Sequence, residues 1–255
     1  MTVHPGQAAD TLRALVAREL KVRYKGSLLG LLWAWLSPLG TVLVLHVLFT
    51  RIVPLQIPHY AAFVYSGLLP WTWFQGAVTT AATSLFDNRD LVRLPFFPRP
   101  VLPGVVTATS FLLYLAALPV LGLLLLAERV PLTPMLLLLP VVWVVAALFI
   151  LATTVLVSAL GVLVRDVQHV LGVVLLLAFY LTPVFYDLDR VAPAQARWLR
   201  LSPLTILVEA HRDVTLFGRA PDWTALLACA GMGAGLLGVA VLVFRAFEHV
   251  VVEEV

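Results

Sequence analysis

The chain has 255 residues, of which 61% are hydrophobic and 12% charged, with a formal net charge of +3. A water-soluble domain carries about 25% charged residues, so this composition excludes a soluble globule. It also excludes a membrane β-barrel, whose strands alternate apolar and polar residues over about ten positions; here apolar windows run on for far longer.

The chain is therefore read as an all-α integral membrane protein, one transmembrane domain over residues 1–255. With only two lysines there is no basic tract to bind nucleic acid, and the arginines serve to set topology beside anionic lipid. Cys229 is the single cysteine, which leaves no intrachain disulfide and no thiolate metal site.

In chain order, residues 8–25 form an amphipathic interface helix. Ala8, Leu12, Val16, Leu20 and Tyr24 recur at i+4 on one side, with Asp10, Arg18, Lys21 and Lys25 opposite. Arg13, Arg18, Lys21, Arg23, Tyr24 and Lys25 are its candidate contacts to lipid headgroups. An ordinary cytoplasmic helix is the competing reading. From Gly26 to Thr50 no Asp, Glu, Lys or Arg occurs. At about 1.5 Å per residue such a run crosses a hydrocarbon core of roughly 30 Å. The basic flank puts the N-terminus in the cytoplasm.

The first span covers 28–53, with a kink expected at Pro38, and the second covers 61–86, with a break expected near Gly67 and Pro70. Residues 87–100 form a cytoplasmic loop that mixes Arg89, Arg93 and Arg99 with Phe96 and Phe97. A loop that only sets topology has no use for two phenylalanines. An apolar knob rimmed with charge fits a partner's groove, and insertion into lipid is the rival.

The third span is 101–127, the fourth 141–164 and the fifth 170–186, which at about 17 residues is at the lower limit for crossing. Residues 187–222 are polar enough to lie outside, yet 201–210 is apolar and too short to span. Re-entrant half-helices hinged at Pro203, with Glu209 and Arg212 among their polar residues, fit this external segment. The sixth span is 224–244, and its glycines at 231, 233, 235 and 238 form a flat packing face. Both termini fall inside.

Absences narrow the chemistry. In the interior of the six expected spans the only Asp, Glu, Lys, Arg or His is His46, so no ion relay of the kind a coupled carrier needs is present. There is no G-x-x-x-x-G-K-[ST] loop to cradle ATP, so uphill transport requires a separate energy-supplying subunit. No catalytic set is evident. Asp187-Leu188-Asp189 has a metal-nucleotide-sugar spacing that is common by chance, and His211-Arg212-Asp213 lacks a nucleophile. No metal site is expected. Tyr65, Trp71, Trp73 and Phe74 in the second span, with Tyr180, Phe185 and Tyr186 in the fifth, have the ring faces that stack on sugars; an interfacial aromatic belt explains them equally.

L-K-V-R-Y-K-G-S-L-L-G-L-L-W-A-W-L-S-P, G-L-L-P-W-T-W-F, L-V-R-L-P-F-F-P-R, R-D-V-Q-H-V-L-G, F-Y-L-T-P-V-F-Y and L-S-P-L-T-I-L-V-E-A-H-R, in that order, resemble the permease subunits of type-2 ABC exporters. The branch they most resemble exports O-antigen and teichoic-acid polysaccharides. The resemblance implies a homodimer of six-span subunits in the bacterial inner membrane, with two ATPase subunits that bind ATP and Mg while this chain binds no cofactor. It implies that Asn88, Arg89, Arg93, Phe96, Phe97 and Arg99 couple to the ATPase, that the aromatics above line the substrate path, and that a lipid-linked glycan is the cargo. A drug or small-lipid exporter of the same superfamily is the alternative. A membrane-bound glycan-modifying enzyme using Asp187 and Asp189 is the alternative of another class.

Overall fold

The structure is a computed structural model and describes residues 5–25, 30–94, 97–164 and 166–246, apart from the side chains of residues 5–11, 23, 24 and 31. Regular structure among the described residues is entirely helical. The elements are α1 (Pro5–Tyr24), α2 (Trp33–Val47, continued by a π-turn to Ile52), α3 (Tyr60–Ala81), the short α4 (Ser84–Asp87) and α5 (Arg89–Val92), and α6 (Val101–Ala127). There follow α7 (Leu139–Leu163, led in by a 3-10 turn from Pro134), α8 (Val167–Leu181), α9 (Pro193–Leu199), α10 (Pro203–Arg212, continued by a π-turn to Phe217) and α11 (Trp223–Ala246).

Four of these helical runs are long and apolar enough to cross a membrane: Trp33–Ile52, Val101–Ala127, Pro134–Leu163 and Trp223–Ala246. α3 and α8 are not among them. α3 stands at the centre, flanked by α2, α6, α7 and α10, and buried residues cover nearly all its sides. A helix enclosed by protein has no lipid to satisfy, so it carries Ser66, Gly67 and Thr72 at little cost. α3 runs unbroken through Gly67 and Pro70, and α2 through Pro38, so neither proline ends its helix.

Several boundaries differ from the sequence reading. The second span, expected to 86, ends at Ala81, after which Ser84–Asp87 is a separate turn. There Gly161 of α7 lies so close to the Ala82 carbonyl that a Cβ would collide with it. The fifth, expected over 170–186, is helical over 167–181. Thr182 precedes Pro183 and takes an extended conformation, φ −87° and ψ 134°, because the ring clashes with a helical predecessor. α11 packs along α7, but only Gly233 of the expected glycine face meets it. A Cβ there would lie 3.3 Å from the Phe149 backbone, whereas Gly231, Gly235 and Gly238 face open space.

The periphery is held lightly. α1 lies against α6 with Val16 as its innermost described side chain. In α2 only Val42 is fully buried, and in α8 only Leu175. α8 packs through a narrow stripe of Val167, Leu171, Leu175, Ala178 and Phe179.

Candidate functional site

At the α1 end, two elements distant in sequence meet. Arg18 Nη1 donates to Asn88 Oδ1 at 3.2 Å, and Asn88 Nδ2 donates to the Ser84 carbonyl at 2.9 Å. The surface helix is thereby tied to the turn that follows α3. Thr83 Oγ1 donates to Asp87 Oδ2 at 2.6 Å, closing the same turn. Farther on, Arg99 Nε donates to the Val92 carbonyl at 3.2 Å and fixes the exit of the loop.

Phe97 does not stand out from the loop as the sequence reading expected. Phe97 is half-buried against a cluster of Leu85, Val92, Leu102 and Phe244, so it anchors the loop to the bundle. Phe96 lies outside the described residues, as do the side chains of Arg23 and Tyr24. Arg89, Arg93 and Leu94 are exposed, and Leu94 is the apolar group presented outward. On α1, Arg13, Arg18, Lys21 and Lys25 are exposed beside them. The result is a mainly basic surface built from the N-terminal helix and the 84–94 segment.

The seven aromatics expected along a substrate path divide into two groups. Tyr65, Trp71, Trp73 and Phe74 are at most 7% exposed and belong to the packed interior. The Tyr65 hydroxyl donates to the Ala117 carbonyl at 3.1 Å, Trp71 Nε1 to Gln75 Oε1 at 3.0 Å, and Trp73 packs 4.8 Å from Phe111. These four hold α3 to its neighbours, and of them Trp73 also borders an apolar groove. Tyr180 is 59% exposed, and Phe185 and Tyr186 are half-buried with ring centroids 5.2 Å apart. Only this second group reaches the surface.

At the α10 end the dominant feature is Arg212, named in the sequence reading among the polar residues of the external segment, whose full burial the sequence did not show. Arg212 is 1% exposed. Its Nη1 donates to Glu209 Oε1 at 2.7 Å, and its Nη2 donates to the carbonyls of Pro183 and Val184 at 2.9 and 3.1 Å. The guanidinium lies 3.7 Å from the centroid of the Phe63 ring. A Cβ on Gly67 would come within 2.5 Å of Nη2, so glycine is what lets α3 approach. One arginine thus joins α10, α3 and the turn after α8, where the planar fork of donors suits several carbonyls at once. Burial raises the Glu209 carboxyl above its usual range against the pull of Arg212, and burial lowers Arg212 despite Glu209. Taking two charges out of water offsets much of what their attraction returns, so the pair's work is to fix position. The sequence signal was a lone glycine inside a helix and an H-R-D triplet, which do not point to each other.

The neighbouring polar groups are also structural. Tyr114 is hydrogen-bonded to His211 Nε2 at 2.8 Å and accepts from Trp143 Nε1 at 2.8 Å. Both carboxylate oxygens of Glu128 accept from the backbone at the start of α3, Ala61 N and Ala62 N, each at 3.2 Å. Pro203 is at the first turn of α10, after the bend that separates α9 from α10, so the predicted hinge is a helix start. Asp187 Oδ1 accepts from Asp189 N at 3.0 Å, and Asp189 Oδ1 pairs with Arg200 at 2.8 Å. The D-x-D pair is spent on a turn and an ion pair, not on an enzyme's metal. Among the described residues no group of three or more His, Cys, Asp or Glu side chains is placed to hold a metal ion.

Comparison with known proteins gives a consistent picture. Residues 10–216 match the family described as ABC-2 type transporter. The chain is 36% identical over 241 residues to an O-antigen export system permease protein RfbA of Myxococcus xanthus, covering 94% of this chain and 93% of that one. It is 28% identical over 220 residues to a protein of the same name from Klebsiella pneumoniae, covering 86% and 85%. It is 24% identical over 223 residues to the polysialic acid transport protein KpsM of Escherichia coli, covering 85% of each.

Proposed function

Because the chain belongs to the ABC-2 type transporter family, we propose that it is the membrane-spanning permease subunit of an ATP-driven exporter that moves a lipid-linked polysaccharide, of O-antigen type, outward across the bacterial inner membrane. As a permease it is a transport subunit, not an enzyme. ATP and Mg bind in separate ATPase subunits, two per homodimer of this chain. α2, α3, α6, α7, α8 and α11 are its six spans, the termini are cytoplasmic, and α9–α10 form the external re-entrant pair.

The observation that carries the reading is the surface at the α1 end. Arg18 ties the surface helix to Asn88, and Arg89, Arg93 and Leu94 are exposed on the segment that follows. A chain without a nucleotide site needs a rigid, charged face for the subunit that has one. A push on the Ser84–Val92 turns enters α3 directly, since only a two-residue turn intervenes. Arg and Lys of α1 meet the anionic phosphates of the lipid carrier at the headgroup level. The glycan passes between two copies, with Tyr180, Phe185 and Tyr186 as the rings available on this subunit's surface.

The experiment replaces the chromosomal copy with Arg89→Glu/Arg93→Glu and measures surface glycan together with recovery of the ATPase by tagged pull-down. The expected result is a stable, membrane-inserted variant that loses both. Wild-type glycan display by this variant would remove the surface from the mechanism.

A second reading has one observation in its favour. α1, α3, α6 and α7 enclose an apolar groove of about 580 Å³ bounded by Leu12, Trp73, Phe111 and Trp143, which suits an exporter of small amphiphiles. Loss of amphiphile resistance with normal surface glycan, on deleting the gene, would select it.

A further inference from the structure

Beyond the buried Arg212 there is a polar cleft on the α10 end that the export mechanism above does not use. One face of α10 and its π-turn supplies Thr205, Glu209 and Asp213, at successive i+4 positions. The Asp189–Arg200 pair closes one side and Arg219 with Asp222 the other, around about 240 Å³. Asp213 Oδ1 accepts from Arg219 Nε at 2.7 Å and Asp189 Oδ1 from Arg200 Nη2 at 2.8 Å. In Asp189, Glu209 and Asp213 one carboxylate oxygen is thus engaged, and the other has no hydrogen bond among the described residues.

Thr205 lines the same space. It is 1% exposed and its hydroxyl has no hydrogen-bond partner among the described residues. Buried hydroxyls are almost always paired, so an orphan beside a cleft marks where a ligand's polar atom belongs.

The lining selects the class of ligand. Four carboxylates against two guanidiniums repel phosphate and other anions. The interleaved guanidiniums, and the absence among the described residues of a ligating group of three, disfavour a metal ion. A neutral polyol meets both kinds of wall, since each hydroxyl donates to a carboxylate while accepting from an arginine. Ile206, Ala210 and Ala225 give its C–H face an apolar floor. A second cleft of about 510 Å³ shares Asp189 and Arg200 and continues past Arg197. Two adjoining clefts suit consecutive units of a polymer better than one small solute.

We propose that this outer cleft binds a sugar ring of the glycan as it leaves, with the next ring in the adjoining cleft. The proposal rests on the exporter reading. It makes the α9–α10 segment an exit-side subsite.

The test uses the intact exporter with its ATPase in lipid nanodiscs, and as probe the lipid-free glycan released from the strain's own surface. Saturation-transfer NMR and titration should show binding, and Thr205→Val and Arg219→Gln should each weaken it by about tenfold, the effect of one lost hydrogen bond. ATPase recovery and melting temperature should stay at wild-type values. Unchanged affinity in both variants would overturn the proposal, as would displacement of the glycan by Mg or by inorganic phosphate. If the wild-type exporter displays glycan in cells yet binds none of the probe, the cleft proposal fails and the transport reading stands. If the gene's deletion leaves surface glycan intact, the transport reading fails and takes the cleft with it.

Discussion

Arg212 and Arg89 are both helix residues at an end of the bundle, and they do opposite work. Arg212 is 1% exposed, bonded to Glu209 and to two backbone carbonyls, and pressed against Phe63. Arg89 stands exposed on a four-residue helix, beside Arg93 and Leu94. At the α10 end charge is turned inward and used to join three segments of one chain. At the α1 end it is turned outward. The buried cation is bonded within its own chain, whereas the exposed one is left to the proposed ATPase contact.

The contrast breaks first at Arg212. Arg212→Ala leaves Glu209 half-buried without its partner and two carbonyls without a donor, a loss of about 3–5 kcal/mol. Detergent-purified variant should melt far below wild type or fail to accumulate, and Arg212→Lys should not restore it, because an ammonium cannot copy the fork. A variant as stable as wild type would show that the buried cation holds nothing together.

A smaller effect is expected at Glu128, which caps α3 from the end of α6. Glu128→Ala should cost about 1 kcal/mol, the usual worth of a helix N-cap, read as a modest fall in melting temperature. Glu128→Gln should recover only part, since the negative charge at the helix N-terminus is lost.

The smallest effect on stability, and the one that sharpens the comparison most, is expected at Arg18. Its bond to Asn88 is exposed, so Arg18→Ala should change stability by no more than about 0.5 kcal/mol. Transport-coupled ATPase activity should nevertheless fall, because the surface helix is no longer tied to the 84–92 turns. Full coupling in Arg18→Ala would separate α1 from the docking face.

Much of the helical frame was legible in the sequence. α6 coincides with the predicted third span at both ends, because Pro98 and Pro100 bar an earlier start and the polar pair Glu128–Arg129 an extension. α8 was misplaced by a few residues because hydropathy continues through Thr182–Tyr186 while the backbone, obeying Pro183, does not.

Side-chain roles were less legible. Trp71 and Trp73 look alike in sequence whether they face a passage or a neighbour, and α3 has neighbours on nearly every side. Phe97 was assigned outward because a polar loop surrounds it, but the cluster that receives it is drawn from α4, α5, α6, α7 and α11. The Arg212–Gly67 contact joins positions far apart in the chain, and nothing local announces it. The orphan hydroxyl of Thr205 is visible only once its surroundings are known.

Consider, finally, how α3 is held. Glu128 grips its first turn, the Tyr65 hydroxyl is bonded to α6, Arg212 wedges beside Gly67, and the Ala82 carbonyl abuts Gly161 where the helix stops. Clamped at intervals along its 22 residues, a length of about 33 Å, it has no slack in which to coil or slide. It therefore works as a strut. If the Ser84–Val92 turns are pushed by a partner, as proposed, the helix carries that displacement toward Arg212, which joins α3 to α10 and to the turn after α8.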